Sequence, residues 1–242
     1  MLGVCFGFSS DLSVRRVSGC GRDTSGMPAD SAPRHLLPED FHAFFWQAVL
    51  ARQQRGSLNK EDAMRYAYFH ALTQCAGVDQ ADVHLESHHK YLDGKLEIDL
   101  LVPPTPQRQG LLVEFKFHRS LSVKPEQRQQ NSARTTQAAD LCKDFYRLGA
   151  YEPGSDWQRL LVYLTDDEMA GYLHRSNIFT PLYNGTNAVS VQDLMTGNTT
   201  KSFQKVVMGF QTDVSAALVS RFDEASLHLR VFEVTGPPSV GL

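Results

Sequence analysis

Twice between residues 96 and 118 the sequence LEIDLLVPPTPQRQGLLVEFKFH alternates apolar and polar side chains. Leu96, Ile98, Leu100 and Val102 are interleaved with Glu97, Asp99 and Leu101, the period of a strand with one buried face. After the turn-rich PPTPQRQG the alternation resumes, with Val113, Phe115 and Phe117 on one side and Glu114 and Lys116 on the other. Side chains two apart on a strand share a face. Pairing of the two strands therefore gathers Asp99, Glu114 and Lys116 on one polar surface.

Helical spacing frames this pair of strands. Upstream, Pro38, Glu39 and Asp40 open a helix with apolar positions Phe41, Phe44, Phe45, Ala48 and Val49, which runs to Gln53 and stops at Arg55-Gly56. Ser57 or Asn59 caps the next helix, and Asn59 and Asp62 stand at capping-box spacing. Its stripe is Met64, Ala67, Tyr68, Ala71 and Leu72, closed by Gly77. Val83 and Leu85 then alternate with His84 and Glu86, and Asp93-Gly94 is a strong turn signal, so the segment up to Val102 reads as a hairpin.

Downstream, Ala138, Leu141, Cys142, Phe145 and Leu148 form a further helical stripe, with Gln137, Asp140, Lys143, Asp144 and Arg147 opposite. The span 159–164 is a buried strand, and Asp166, Asp167 and Glu168 cap the helix after it. Loops with minor strands are expected over 177–208, a helix over 212–225 and a closing strand over 227–234. A helix between two strands lets them run parallel, so the order helix, three strands, helix, strand predicts an α/β fold. Residues 1–35 are rich in Ser, Gly, Asp and Arg and carry no sustained period. They are expected to be a disordered tail beside a single domain over 36–242, with Met27 an alternative start.

Composition changes this picture little. A chain of 242 residues that is 42% hydrophobic can bury a sizeable core. Its net charge of -3 argues against a protein that coats nucleic acid, but not against an enzyme carrying its own metal-binding acids. Cys5, Cys20, Cys75 and Cys142 are scattered, without zinc-ligand spacing, so a reduced cytoplasmic protein is expected. The apolar start over 2–8 is too short to span a membrane and has no basic residue ahead of it, so no membrane partner is expected.

Two carboxylates and an ammonium on rigid neighbouring strands suit metal-assisted phosphodiester hydrolysis. Hard oxygen ligands take Mg²⁺ or Mn²⁺ and leave positions for water and a phosphate oxygen. A lysine beside them can orient the attacking water or steady the charge that builds on phosphorus. Asp99 followed by Glu114-Phe115-Lys116 resembles the core of the PD-(D/E)XK nuclease superfamily, although Ile98 stands where the family pattern has Pro. The resemblance covers 57–164. It implies a restriction-endonuclease-like fold: a central mixed sheet flanked by helices, with an α-β-β-β-α-β core and a C-terminal extension. It also implies Asp99 and Glu114 as metal ligands, Lys116 as the catalytic lysine, and DNA as substrate with RNA as the alternative. Monomer and homodimer both stay open.

Relatives of this superfamily carry a Glu on the helix before the first strand, and Glu61 is placed for that role. An acid in a first helical turn equally complements the helix dipole. The superfamily often directs a Gln towards the site from the helix after the third strand, where Gln137 is the candidate and Gln130 stands one helical register earlier. Glu86 and Glu97 are candidate outer acids. Between 118 and 134, Arg119, Lys124, Arg128 and Arg134 stand against Glu126 alone, and either contact phosphates or form a solvated face. His84, His88 and His89 read as a solvated or DNA-facing edge, because adjacent strand positions point to opposite faces. Glu-x-Lys alone is common on exposed strands. The alternative is thus a non-cleaving nucleic-acid-binding or interaction module with the same fold.

Truncation at Met27 tests the reading of the N-terminal segment. The shortened protein is expected to melt within a few degrees of the full chain; a larger drop in Tm would show that these residues support the fold.

Overall fold

The structure, a computed structural model, describes residues 35–88, 97–119, 131–151, 156–185, 187–224 and 226–236. They belong to one compact unit, Pro33–Leu242. The fold is a seven-stranded mixed sheet with helices on both faces. Helices α1 (Phe41–Gln54) and α2 (Glu61–Gln74) lead into β1 (His84–His88), β2 (Glu97–Val102) and β3 (Gly110–His118). A long helix, α3 (Asn131–Ala150), crosses to β4 (Trp157–Asp166). After it come α4 (Asp167–Arg175), α5 (Thr180–Asn184), β5 (Val189–Ser190), α6 (Val191–Gly197) and α7 (Lys201–Val207), and then β6 (Ser215–Glu224) and β7 (Leu227–Thr235). The sheet order is β1-β2-β3-β4-β7-β6-β5, with only β3 and β4 parallel.

One apolar layer packs α1 and α2 against Val113, Phe115, Val162 and Val231. The other packs α3 and the C-terminal helices against Leu112, Leu161, Tyr163 and Phe232. Alternation along β3 therefore separates its faces as expected, and Glu114 and Lys116 lie on the α3 side. Gly56 (φ 66°) and Gly77 (φ 64°) take the left-handed conformation just past α1 and α2, which ends both helices at little cost.

Several local expectations are corrected. Phe44 is exposed, and Trp46 and Leu50 share the buried stripe of α1 in its place. Neither Ser57 nor Asn59 caps α2. The cap position is Lys60, with no side-chain hydrogen bond, while Ser57 Oγ donates back to the Arg52 carbonyl. The region 177–208 folds into short helices with one two-residue strand. Each has at most 7 residues, too few for a period to show in the sequence, and is held by buried Leu182, Leu194 and Phe203. The helix expected over 212–225 is strand β6, because a hairpin with β7 takes up its backbone hydrogen bonds. Asp166 does cap α4, accepting from the Met169 N–H at 3.1 Å. The Asp93-Gly94 turn lies outside the described residues.

Beyond β4 in the sheet order, the strand ends of β6 and β7 meet α4 through a charged network. Arg230, 2% exposed, sits 2.8 Å from Asp223, lies over the Tyr183 ring and donates to the Leu229 carbonyl. His228 lies between Asp223 (2.7 Å) and Asp167 (2.8 Å). Burial alone would raise the Asp223 carboxyl, but hydrogen bonds from Arg221, His228 and Arg230 outweigh it and hold the group well below the usual range. A depressed carboxylate stabilises the fold above its unfolded pKa, and that contribution fades as pH falls through the acid range. Asp223→Ala is therefore expected to cost roughly 1–3 kcal/mol near neutrality, where it leaves a buried guanidinium poorly matched. The cost should shrink in acid, and melting curves at both pH values check it.

Candidate active site

Strands β2 and β3 pair only from Leu100↔Val113 to Val102↔Leu111. Beyond that point they diverge, and β3 presents backbone N–H groups with no strand to receive them. Carboxylates take that place. Asp99 Oδ2 accepts from the Phe115 N–H at 2.8 Å, and Glu61 Oε2 from the Phe117 N–H at 3.2 Å. The regular alternation read for β2 breaks here as well, since Ile98 packs on the α3 side while Leu100 faces α1 and α2. In the opening lies a cleft of about 250 Å³ lined by Glu61, Glu97, Asp99, Glu114, Phe115, Lys116 and Arg147. Asp99, Glu114 and Lys116 thus come together, and Glu61 joins them from the first turn of α2.

The cleft is rich in acid. Glu114 is 6% exposed, and its Oε1 has no hydrogen-bond partner. Burial first, and then the charge of Asp99 beside it, pushes its carboxyl well above the usual range. Burial likewise raises Glu61, opposed by Lys116. For Lys116, burial works against the ammonium, but Asp144 first and then Glu61 and Glu114 outweigh it. Lys116 is therefore a fixed positive charge, able to donate and to neutralise, and not a base at ordinary pH. Its Nζ lies 2.9 Å from Asp144 Oδ2, and Arg147 approaches the same carboxylate at 3.3 Å.

No protein-family model, curated protein or solved structure matches the chain. The site must be read from its own geometry.

Sequence reasoning placed Asp144 and Arg147 on the outer face of α3 and gave Arg65 no role. Asp144 is in fact 4% exposed and anchors Lys116. Its signal was legible: it stands three residues after Leu141 and four before Leu148, on the apolar stripe. Arg65 reaches Asp99 Oδ1 at 2.6 Å and Glu86 Oε1 at 2.7 Å. It follows Glu61 by one helical turn, which puts both on one face of α2. Gln137 is half-buried and does not line the cleft. Arg119 lies over the Phe117 ring and donates to the Leu58 carbonyl, while Arg134 pairs with Glu168 at 2.9 Å. Lys124 and Arg128 lie outside the described residues, as does His89.

Among the described residues no three His, Cys, Asp or Glu side chains are gathered closely enough to form a metal cluster. The donor set is instead a carboxylate pair, Asp99 and Glu114, with Glu61 nearby. Mg²⁺ is commonly held by one or two carboxylates, with water and phosphate completing its shell. The orphaned Glu114 oxygen and the mutual repulsion of the acids fit a divalent cation between them.

Glu114 also makes a stability test. Its raised pKa means that ionising it costs the metal-free fold, and the cost grows as pH climbs above the ordinary carboxylate range of about 4. In EDTA, Glu114→Gln is expected to melt with wild type near that pH. At higher pH it should melt above wild type by a few degrees, where ~1 kcal/mol corresponds to roughly 2–4 °C. Melting below wild type across the whole range would contradict a strained buried acid.

Proposed function

We propose that this protein is a metal-dependent nuclease that hydrolyses phosphodiester bonds, with DNA as its substrate and Mg²⁺ or Mn²⁺ as its cofactor. The observation that carries the reading is the meeting of Asp99, Glu114 and Lys116 in one buried acidic cleft between diverging strands. The element order α2-β1-β2-β3-α3-β4 also agrees with the restriction-endonuclease-like core that the PD-(D/E)XK resemblance implies. A bound divalent ion would supply Lewis acidity and a water acidified towards neutral pH. Asp99 and Glu114 would hold it, and Glu61 would add negative charge at the same edge. Lys116, kept protonated by Asp144, orients the water or neutralises charge on the phosphate oxygens. Because the lysine is tied to α3, it pays little entropy to reach that position.

A second reading has one observation of its own. Arg65 already neutralises Asp99, and Asp144 already neutralises Lys116, so the cleft is internally paired. A non-cleaving nucleic-acid-binding or interaction module would need no more than that.

The readings separate on three variants. Asp99→Ala and Glu114→Ala are expected to lose both divalent-ion binding and DNA cleavage. Lys116→Ala should still bind the ion while cleaving roughly 10²-fold more slowly, the scale of one positioned catalytic group. Calorimetric titration of Mn²⁺ beside a plasmid-cleavage assay measures both. Wild type that binds no divalent ion, or Lys116→Ala that cleaves like wild type, would refute the nuclease reading.

A further inference from the structure

Arg65 is ion-paired to Asp99, one of the two acids of the candidate site. Its side chain, 11% exposed, bridges Asp99 inside the cleft and Glu86 at the rim, with Asp62 a further 3.6 Å contact. Glu86 and Asp62 are 63% and 61% exposed, whereas Asp99 is only 16% exposed. The guanidinium thus spans from solvent to the proposed metal ligand. With the Phe115 N–H on Oδ2 and Arg65 on Oδ1, each oxygen of Asp99 accepts one hydrogen bond.

The rim partner is held unusually. Glu86 has φ 51°, the one non-glycine residue at positive φ among the described residues. Leu85 and Ser87 pair with Leu100 and Ile98, and Glu86 has no register partner between them. A non-glycine side chain in the left-handed region costs of order 1 kcal/mol, and such residues gather at functional sites. The irregularity in β1 turns Glu86 towards Arg65, against local backbone preference.

A planar guanidinium is matched to phosphate oxygens and can meet them with two parallel hydrogen bonds. Resting on the nuclease reading above, we propose that Arg65 is a phosphate-binding residue held in reserve. Asp99 holds it in the cation's absence, a divalent ion competes with it for Asp99 Oδ1, and the released guanidinium, still anchored at the rim by Glu86, binds the substrate's phosphate. The side chain that balances Asp99 in this structure is the one that would later meet the substrate's negative charge. A purely structural Arg65 would do the opposite, holding Asp99 in place for the metal, so that its loss would weaken metal binding.

The test compares wild type with Arg65→Gln and Arg65→Lys. Mn²⁺ alone is titrated calorimetrically, and a duplex oligonucleotide is titrated in Ca²⁺ by fluorescence anisotropy. Arg65→Gln is expected to bind Mn²⁺ roughly 10-fold more tightly, a change of about 1.4 kcal/mol. It should bind DNA several-fold more weakly, with a salt slope reduced by about one phosphate contact. Arg65→Lys keeps the charge but loses the fork. It should bind Mn²⁺ close to wild type and DNA more weakly, so it serves as the second variant if Arg65→Gln does not fold. Wild type that binds Mn²⁺ no more weakly than Arg65→Gln overturns the proposal while leaving the nuclease reading intact. Unchanged DNA affinity in both variants overturns it too. Wild type that takes up no Mn²⁺ overturns both.

Discussion

Everything in the cleft follows from the obligation of a buried backbone N–H to find an acceptor. Where β2 leaves β3, the N–H groups of Phe115 and Phe117 lose the strand that would have received them. Two carboxylates from different elements, Asp99 and Glu61, come in to accept. Those acids must then be neutralised or shielded, which brings in Arg65 and Lys116, and Lys116 in turn draws Asp144 from α3. A gap in a sheet has been turned into a charge constellation by successive demands for partners.

This economy has a thermodynamic side. Buried acids next to one another raise each other's pKa and weaken the fold unless a cation sits nearby. An arginine and a lysine meet that need, and Glu114 Oε1 is left without a hydrogen-bond partner. Polar strain concentrated in one small cleft, while two broad apolar layers carry the sheet, is the pattern expected where local rules yield to function. The Arg230–Asp223–His228 network differs in kind. Its carboxylate is lowered, not raised, and its hydrogen bonds tie strand ends to a helix.

Sequence pattern was most informative where a single period ran long enough to be recognised. The stripes of α2 and α3 and the alternation of β3 each pointed to the face they occupy, and that alternation set Glu114 and Lys116 on one face. Asp99 came from the alternation read for β2 together with the family resemblance. The C-terminal third was harder to read. The helices after Arg175 span 5 to 7 residues, less than two full turns, and β6 depends on β7 for its identity. Arg65 and Asp144 were missed for another reason. Asp144 stands on the apolar stripe of α3 and was passed over because charged residues on a helix are usually taken as solvated. The face of Arg65 becomes interior only through the divergence of two distant strands. That divergence has no local signature, since Asp99 looks like any polar position in an alternating strand.

The contacts that build the cleft are long in sequence: 56 residues separate Glu61 from Phe117, and 34 separate Arg65 from Asp99. Lys116 acquires its anchor only from the far half of α3. Loop closure of this length is slow compared with helix formation, so α1 and α2 can form well before the site exists. A nascent chain therefore carries Arg65 and Glu61 on α2 while their partners are still being synthesised. The full set of charges assembles only after Arg147 has emerged and the crossover helix has docked. On the proposed reading, hydrolytic capacity would arrive in one late step of folding, with no partly built form able to cut.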